Sequence, residues 1–441
     1  MAKLHTLPVE IICHIYSYAD QVSQKALRLT NRQLGHIGKR SVFQAVSVTT
    51  SDESLERINH ILERPDLISH TTKIYLNTFD PKDEEVVSYY DPDPYDDVAV
   101  RLFHPLEKIP RLQRVVLRFH PECPEDADDD VPQSQAFRAE VMKYGLAAFV
   151  AMPHLKDLAL RDLENVNFTD TEAIANLNKL LPRLRSLRLN IANLYGGAYG
   201  SSDYYEVFPH TFFSNLPSFW LKPALSNLEH LTLYSNIYVG FVSKCDFRGL
   251  HFPKLKTLAL GNHTFIHDSQ RDWILSHGET LSELYMDDCA IIFEATVYPK
   301  TIEHSYLPPH AFKPHPHVQQ PRLYTRYDSR WADYFRAFKD KLPRLQHFRY
   351  GSARNLWEHG STPFESEGRI RIGFRSESYM VYCDGRLPRE YDRRMLWQIP
   401  KEDGVVSYVH GSPLNYTDDD ETALEELCAK VGLSVNLDED Y

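Results

Sequence analysis

Pro182-Arg183-Leu184-Arg185-Ser186-Leu187-Arg188-Leu189-Asn190 decides how this chain is read. Leu187 and Leu189 sit two apart, so both point to one face of a strand, and Leu184 lies on the turn entering it. Pro182 ends the preceding helix. The same unit, Pro-x-Leu-x-x-Leu-x-Leu, returns at Pro110, Leu112, Val115, Leu117; at Pro153, Leu155, Leu158, Leu160; and at Pro253, Leu255, Leu258, Leu260. Leu228, Leu231 and Leu233 repeat it without the proline. Weaker copies are Leu281, Leu284, Met286 and Pro343, Leu345, Phe348, Tyr350.

Helical patterns lie between these strands. Thr50-x-x-Glu53 reads as a capping box before Leu55, Ile58, Ile61 and Leu62. Residues 133–151 carry Phe137, Val141, Leu146 and Phe149, and residues 170–181 carry Ala173, Ile174, Leu177 and Leu181, with Thr169 or Asp170 as cap. Residues 268–277 and 330–342 show two more stripes. Two earlier strands are expected at 44–49 and 73–77. Helix, proline, strand, repeated, predicts an α/β fold with a parallel sheet and helices behind it. The pattern resembles leucine-rich repeats over roughly residues 44–352, with successive units 26 to 64 residues apart. The resemblance implies an irregular solenoid with helices on its convex side. An ordinary doubly wound α/β domain would not account for one recurring strand-entry motif.

Ahead of the repeats, residues 4–48 carry three short helical patterns. Pro8 suits a first helical turn. Leu7, Ile11, Ile15 and Tyr18 recur at near-helical spacing, and Ile12 and Ala19 widen the stripe. Ala26, Leu27 and Leu29 form a second set ending at Thr30-Asn31, and Leu34 and Ile37 a third, closed by Gly38. Leu7-Pro8-x-Glu10-Ile11, Ile15, Tyr18, Leu27-Arg28-Leu29, Asn31-Arg32 and Val42-Phe43 resemble an F-box. The loop after Tyr18 is shorter than the family's, and no Trp closes the third helix. The resemblance implies docking onto a Skp-type adaptor through Leu7, Pro8, Ile11, Ile12, Ile15, Leu27 and Leu29. Through that adaptor the chain would join a cullin–RING ubiquitin ligase as its substrate-recognition subunit. The competing expectation is a leucine-rich-repeat interaction scaffold with no ligase role. The expected domains are a helical module over 1–43, the repeat domain over 44–352 and a capping region over 353–441.

Bulk composition narrows the partners. The 441 residues carry a net charge of −12 with pI near 6.0, which argues against nucleic-acid and membrane-surface binding. Six dispersed cysteines without a C-x-x-C pair point to free thiols in a reducing compartment, cytoplasmic or nuclear. No stretch has the ~20 apolar residues of a membrane span, and the N-terminus lacks a signal-peptide pattern. Residues 80–97, 121–132 and the Gly/Tyr-rich 195–205 read as inserted loops. Residues 308–321 hold His310, His315 and His317 among prolines, a loop composition that gives no metal site. Beyond Gly351 short strands are expected at 369–374, 379–383 and 405–409, and a helix at 422–431. No hydrolase, phosphate-loop or dinucleotide fingerprint is present. The chain is therefore expected to be non-catalytic and without a cofactor.

The residues flanking the inward leucines face outward. Read strand by strand, they bring Lys73, Arg114, Arg118, Arg161 and Arg188 to one face of an otherwise acidic protein, with Tyr234 and Tyr285 further along. Arginine pairs bidentately with carboxylate and phosphate. This face is expected to hold an acidic or phosphorylated segment of a target protein. The alternative is that the arginines pair with the chain's own acidic segments at 91–97 and 122–130.

Overall fold

The seven strand-entry leucines, from Leu112 to Leu345, are all buried. Of the strand positions behind them, only Leu233 keeps partial exposure. The recurring motif is thus a core motif. At about 1.5–3 kcal/mol for each fully buried leucine, it is the main apolar term holding strands and helices together.

The computed structural model describes residues 7–79, 101–121, 123, 133–193, 207–315, 321–353, 364–383, 396–401, 404–409 and 415–435. The chain is a mixed α/β protein whose strand pairings are mostly parallel, with an antiparallel pair formed by Leu396–Lys401 and Gly404–Val409, and it divides into two compact units. The first comprises residues 1–120, 130–161 and 168–184; the second comprises 121–129, 162–167 and 185–441. The N-terminal helices thus share a unit with the first strands.

The first unit opens with α1 (Val9–Tyr18), α2 (Gln21–Thr30), α3 (Arg32–Ile37) and α4 (Lys39–Phe43). Asp20 caps α2 by accepting from Ser23 N at 2.7 Å, and Asn31 caps α3 by accepting from Leu34 N at 2.9 Å. The helical run continues past Gly38, where a Cβ would meet the Tyr16 ring. Ile12, Tyr16 and Leu34 form the core of these helices, with Leu7, Leu27 and Ile37 packed against it. The Tyr16 hydroxyl donates to Leu34 O at 3.0 Å.

Next come β1 (Ala45–Val48), α5 (Asp52–Leu62), α6 (Pro65–Ile68), β2 (Lys73–Asn77), β3 (Arg114–Arg118), α7 (Gln135–Ala151), β4 (Asp157–Glu164) and α8 (Thr171–Leu180). β1, β2, β3 and the start of β4 pair in parallel and in order. The capping box expected at Thr50 does not form. α5 begins after Ser51, which makes no side-chain cap bond, and Asp52 and Glu53 favour its N-terminal dipole instead. At α8 the cap is Asp170, whose Oδ1 accepts from Ala173 N at 2.8 Å.

The second unit contains β5 (Ser186–Ala192), α9 (Val207–Leu216), β6 (His230–Ser235), β7 (Thr257–Gly261), β8 (Thr264–Phe265), α10 (Asp268–Leu275), β9 (Glu283–Asp287), β10 (Ala290–Val297), β11 (Lys313–Pro314) and β12 (Leu323–Arg326). It continues with α11 (Trp331–Lys341), β13 (His347–Ser352), β14 (Arg371–Ile372), β15 (Tyr379–Cys383), β16 (Leu396–Lys401), β17 (Gly404–Val409) and α12 (Asp418–Lys430). β5, β6, β7, β9 and β13 run parallel, and the two-residue β14 adds antiparallel to β13. The strand expected over 369–374 is therefore confined to Arg371–Ile372.

A second sheet was not anticipated. The wholly buried β10 is flanked by antiparallel β12 and parallel β15, with β8 parallel to it and β11 on β12. Asp420, buried in the first turn of α12, fastens the C-terminal helix to the rest. Its carboxylate accepts from Arg330 Nη2 at 2.7 Å, Ala332 N at 2.9 Å and the Tyr379 hydroxyl at 2.9 Å. Among the described residues no helix is long and apolar enough to cross a membrane.

A polar seam runs along the C-terminal ends of the second unit's strands. Asn190 donates to Asp162 at 3.0 Å, and Asn165 donates to Asn193 at 2.9 Å. Asn193 donates to Ser235 and Asn236, and Asn262 donates to Ser235 O at 2.7 Å. Asp162, Asn262 and Asp288 adopt positive φ, a conformation that Asp and Asn accept more readily than most residues. Most of the seam's bonds join side chains, while Asn262 satisfies the Ser235 carbonyl at the end of β6 and Asn236 accepts from the Asn193 backbone N–H.

Candidate partner-binding surfaces

The N-terminal helices carry more apolar side chains than their core takes in. On α1, Ile12 and Tyr16 point inward and are buried, while Ile11, His14, Ile15 and Tyr18, at i, i+3, i+4 and i+7, form an outer strip. His14 packs edge-on to Tyr18, with ring centres 4.8 Å apart. On α2, Val22 and Leu29 stand seven apart on an outer face, whereas Leu27 packs toward the core. Val9, Ile11, Tyr18, Val22 and Leu29 are 48% to 84% exposed. The other exposed large apolar residues among those described are Tyr144 and Tyr416, so five of seven lie within 21 residues. Burial raises the Tyr16 hydroxyl above its ordinary pKa, and the charge of Arg28 offsets part of that rise.

Of the residues expected to dock an adaptor, Pro8, Ile11 and Leu29 are exposed, while Leu7, Ile15 and Leu27 are half-buried. Ile12 belongs to the interior, because a helix this short needs one strip for its own core. Val9, Tyr18 and Val22 lie outside the expected docking set, although Tyr18 belongs to the same helical stripe. For Val9 and Tyr18 the signal is present, since α1 holds two apolar strips where one suffices.

In the first unit, Lys73, Arg114 and Asp157 share one cross-strand rung, and Asn77, Arg118 and Arg161 share another. The structure therefore brings four of the expected basic residues onto three neighbouring strands. Arg114 Nε lies 2.5 Å from Asp157 Oδ2, so its charge is matched locally. Lys73 Nζ stands 4.4 Å from the Tyr75 ring centre, and the Arg118 guanidinium stands 5.1 Å from that of Phe79. The acidic segments considered as internal partners, 91–97 and 122–130, lie outside the described residues apart from residue 123.

In the second unit, Arg188, Thr232, Ala259, Tyr285 and Arg349 form one rung across five strands. Ser186, His230, Thr257, Glu283 and His347 form the rung beside it. The segment Phe364–Ile372 crosses this face. Arg188 Nη1 donates to Glu367 Oε1 at 2.5 Å and to Phe364 O at 2.6 Å. Thr232 Oγ1 donates to the same carboxylate oxygen at 3.2 Å, and His230 Nε2 lies 3.7 Å from it. Further along, Arg349 Nη1 donates to Ile370 O at 2.9 Å.

Burial alone would raise the Glu367 carboxyl. The nearby His230 ring and the charge of Arg188 outweigh it and hold the carboxyl below its ordinary pKa. His230 is lowered, by burial first and by Arg188, against the opposing pull of Glu367. Burial, with help from Glu283 and Glu367, pushes the Tyr285 hydroxyl up to about 12. Arg188 thus meets an acidic group of its own chain, and Tyr285 stays half-exposed above Glu283, with its hydroxyl 3.4 Å from that carboxylate. Tyr234, expected on the accessible face, is instead buried. Its ring fills the space above Gly261 and meets Phe364 edge-on.

Among the described residues no group of three or more His, Cys, Asp or Glu is placed to hold a metal ion. Of the proline-flanked histidines, His310 is exposed, His315 is buried and His317 lies outside the described residues.

No protein-family model matches this chain, and no curated protein matches it. Among solved structures, a GH6 Orpinomyces sp. Y102 enzyme matches at 11% identity and a TM-score of 0.25, over 48% of this chain and 66% of that one. This chain thus spans just under two thirds of that structure's length. The finding corrects one expectation. The matched structure is of an enzyme, so the expectation of a non-catalytic chain is withdrawn. A TM-score of 0.25 supplies no argument for any particular fold, reaction or substrate.

Proposed function

We propose that this chain is a substrate-recognition subunit of an SCF-type ubiquitin ligase. Its N-terminal helices dock a Skp-type adaptor, and through it a cullin–RING ligase, while its strand-bearing body captures a target protein. One observation carries the reading: five of the seven exposed large apolar residues among those described fall between Val9 and Leu29. An exposed apolar concentration of this kind marks a protein-binding surface. The F-box resemblance of the same residues supplies the partner. We read the body as an irregular leucine-rich-repeat-like solenoid capped by residues 353–441. The one-strand-per-motif parallel register and the amide seam support that reading. The target would present an acidic or phosphorylated segment to the strand face, and the setting would be cytoplasmic or nuclear.

Co-purification tests it. The full chain should retain a Skp-type adaptor, and a chain lacking residues 1–48 should lose it. Adaptor retained by the shortened chain would refute the docking assignment. A folded full chain that never retains adaptor would leave the scaffold without ligase role as the better reading.

A further inference from the structure

We propose that Arg188, His230 and Thr232 form a recognition site for an acidic segment of a captured protein, and that Glu367 fills this site as an internal ligand. The inference rests on the protein-capture reading above and gives it a place and a gate.

The geometry is that of a bound acidic peptide. Three polar side chains from two adjacent strands converge on one carboxylate oxygen, Glu367 Oε1. These residues lie 135 to 179 positions from Glu367 in sequence, so no local turn imposes the contact. Strand side chains also hold the segment by its main chain, Arg188 at Phe364 O and Arg349 at Ile370 O. Phe364 supplies an aromatic anchor against Tyr234. Backbone pairing of the segment with the sheet is limited to the two residues of β14 at its edge. The segment turns at Phe364 and makes a short 3-10 helix over Glu367–Arg369, which presents one acidic side chain, one aromatic ring and two carbonyls to the strand face.

Exchange of one acid for another is physically cheap here. Desolvation offsets much of the attraction in a buried ion pair, so the Arg188–Glu367 contact adds little net stability. Removing one partner and leaving the other buried is what costs. An incoming carboxylate makes the same bonds and leaves no charge unmatched. Arg188 keeps about a fifth of its side chain in solvent, which gives that carboxylate an approach. What protects the closed state is the high effective concentration of a tethered ligand.

The test uses the full chain and a fluorescent peptide with the chain's own sequence from Phe364 to Ile372. By anisotropy, the peptide should bind the Glu367→Gln chain about tenfold or more tighter than the wild type, because the tethered competitor has lost its charge. Binding should vanish when Arg188→Gln is added to that chain, and when the peptide itself carries Glu367→Gln. Equal binding to wild type and Glu367→Gln, or binding that survives either control, overturns the proposal. Hydrogen exchange on the wild type covers the case in which Glu367→Gln does not fold. Excess peptide should speed exchange of the 364–372 amides, and unchanged exchange there overturns the proposal. Adaptor co-purification runs through residues 7–29 and reports on the ligase reading alone, so the two failures are separable.

Discussion

The N-terminal helices and the strands of the second unit are both rich in apolar residues, yet they use them differently. Along β5, β6, β7, β9 and β13 nearly every leucine of the recurring motif is buried. In α1–α3 the buried cluster is Ile12, Tyr16 and Leu34, while Val42 and Phe43 of α4 pack with Leu67, and Val9, Ile11, Tyr18, Val22 and Leu29 stand in solvent. Repeated strands can bury their leucines against the next copy, whereas a few short helices have too little volume to cover theirs. An apolar residue in the strands therefore reports on stability. An apolar residue on the outer strips of α1 and α2 reports on a partner.

The largest effects should come from the strand core. Leu258→Ala leaves a cavity beside fully buried neighbours and should cost about 2–5 kcal/mol in denaturant melts. Gly351→Ala should act at least as strongly on the edge of the same sheet, since its Cβ would drive into the Arg371 carbonyl where β13 pairs with β14. A melt unchanged by Leu258→Ala would remove the motif from the core and break the comparison at its first term.

Acid should separate the two regions next. Burial lowers His263 to about 4, and burial together with the charge of His251 lowers His277 to about 4. In the unfolded chain each would titrate near 6.5. Between those values the unfolded state binds more protons than the folded one, so stability falls as pH drops from about 6.5 toward 4 and is fully present above 6.5. His14 and His36 on the N-terminal helices are exposed. The second unit should therefore lose stability first on acidification, and His263→Phe should flatten part of that loss. A stability profile flat from pH 7 to pH 4.5 would contradict the burial of both rings.

The Arg114–Asp157 pair should contribute little. Arg114 is largely exposed, and exposed pairs typically contribute about 0.2–1 kcal/mol. A double-mutant cycle with Arg114→Ala and Asp157→Ala should give a coupling in that range. Coupling well above it would make this rung part of the structural core and leave it unsuited to partner exchange.

How much the sequence disclosed depended on how local each signal was. The parallel register was legible because Leu187 and Leu189, Leu258 and Leu260 and their counterparts repeat one short pattern. β10 escaped notice because Ala290–Val297 is an almost continuous apolar run with no period to mark it. Alternation places Tyr234 on the outer face, where its ring lies over Gly261 and is covered by Phe364, a contact with no local sequence signal. The meeting of Glu367 with Arg188 has no local signal at all, being set by the path of the chain over 179 residues. On α1 the spacing identified apolar strips without saying which one faces the core. Ile12 was therefore grouped with docking residues although it is interior.

That ambiguity sets the smallest stability effect and the sharpest contrast. Ile12→Ala removes part of the small core and should destabilise the helices by about 2–5 kcal/mol. Ile11→Ser combined with Leu29→Ser removes apolar surface from the outer strips alone. Each change should shift stability by no more than about 0.5 kcal/mol, because neither side chain is buried in the free protein. The same pair should abolish retention of a Skp-type adaptor, since the side chains would be desolvated only in the complex. Circular dichroism melts beside co-purification read both quantities on one sample. Adaptor retained by the folded double variant would show that these strips are ordinary solvated surface. A large loss of stability would instead show that they pack within the protein itself.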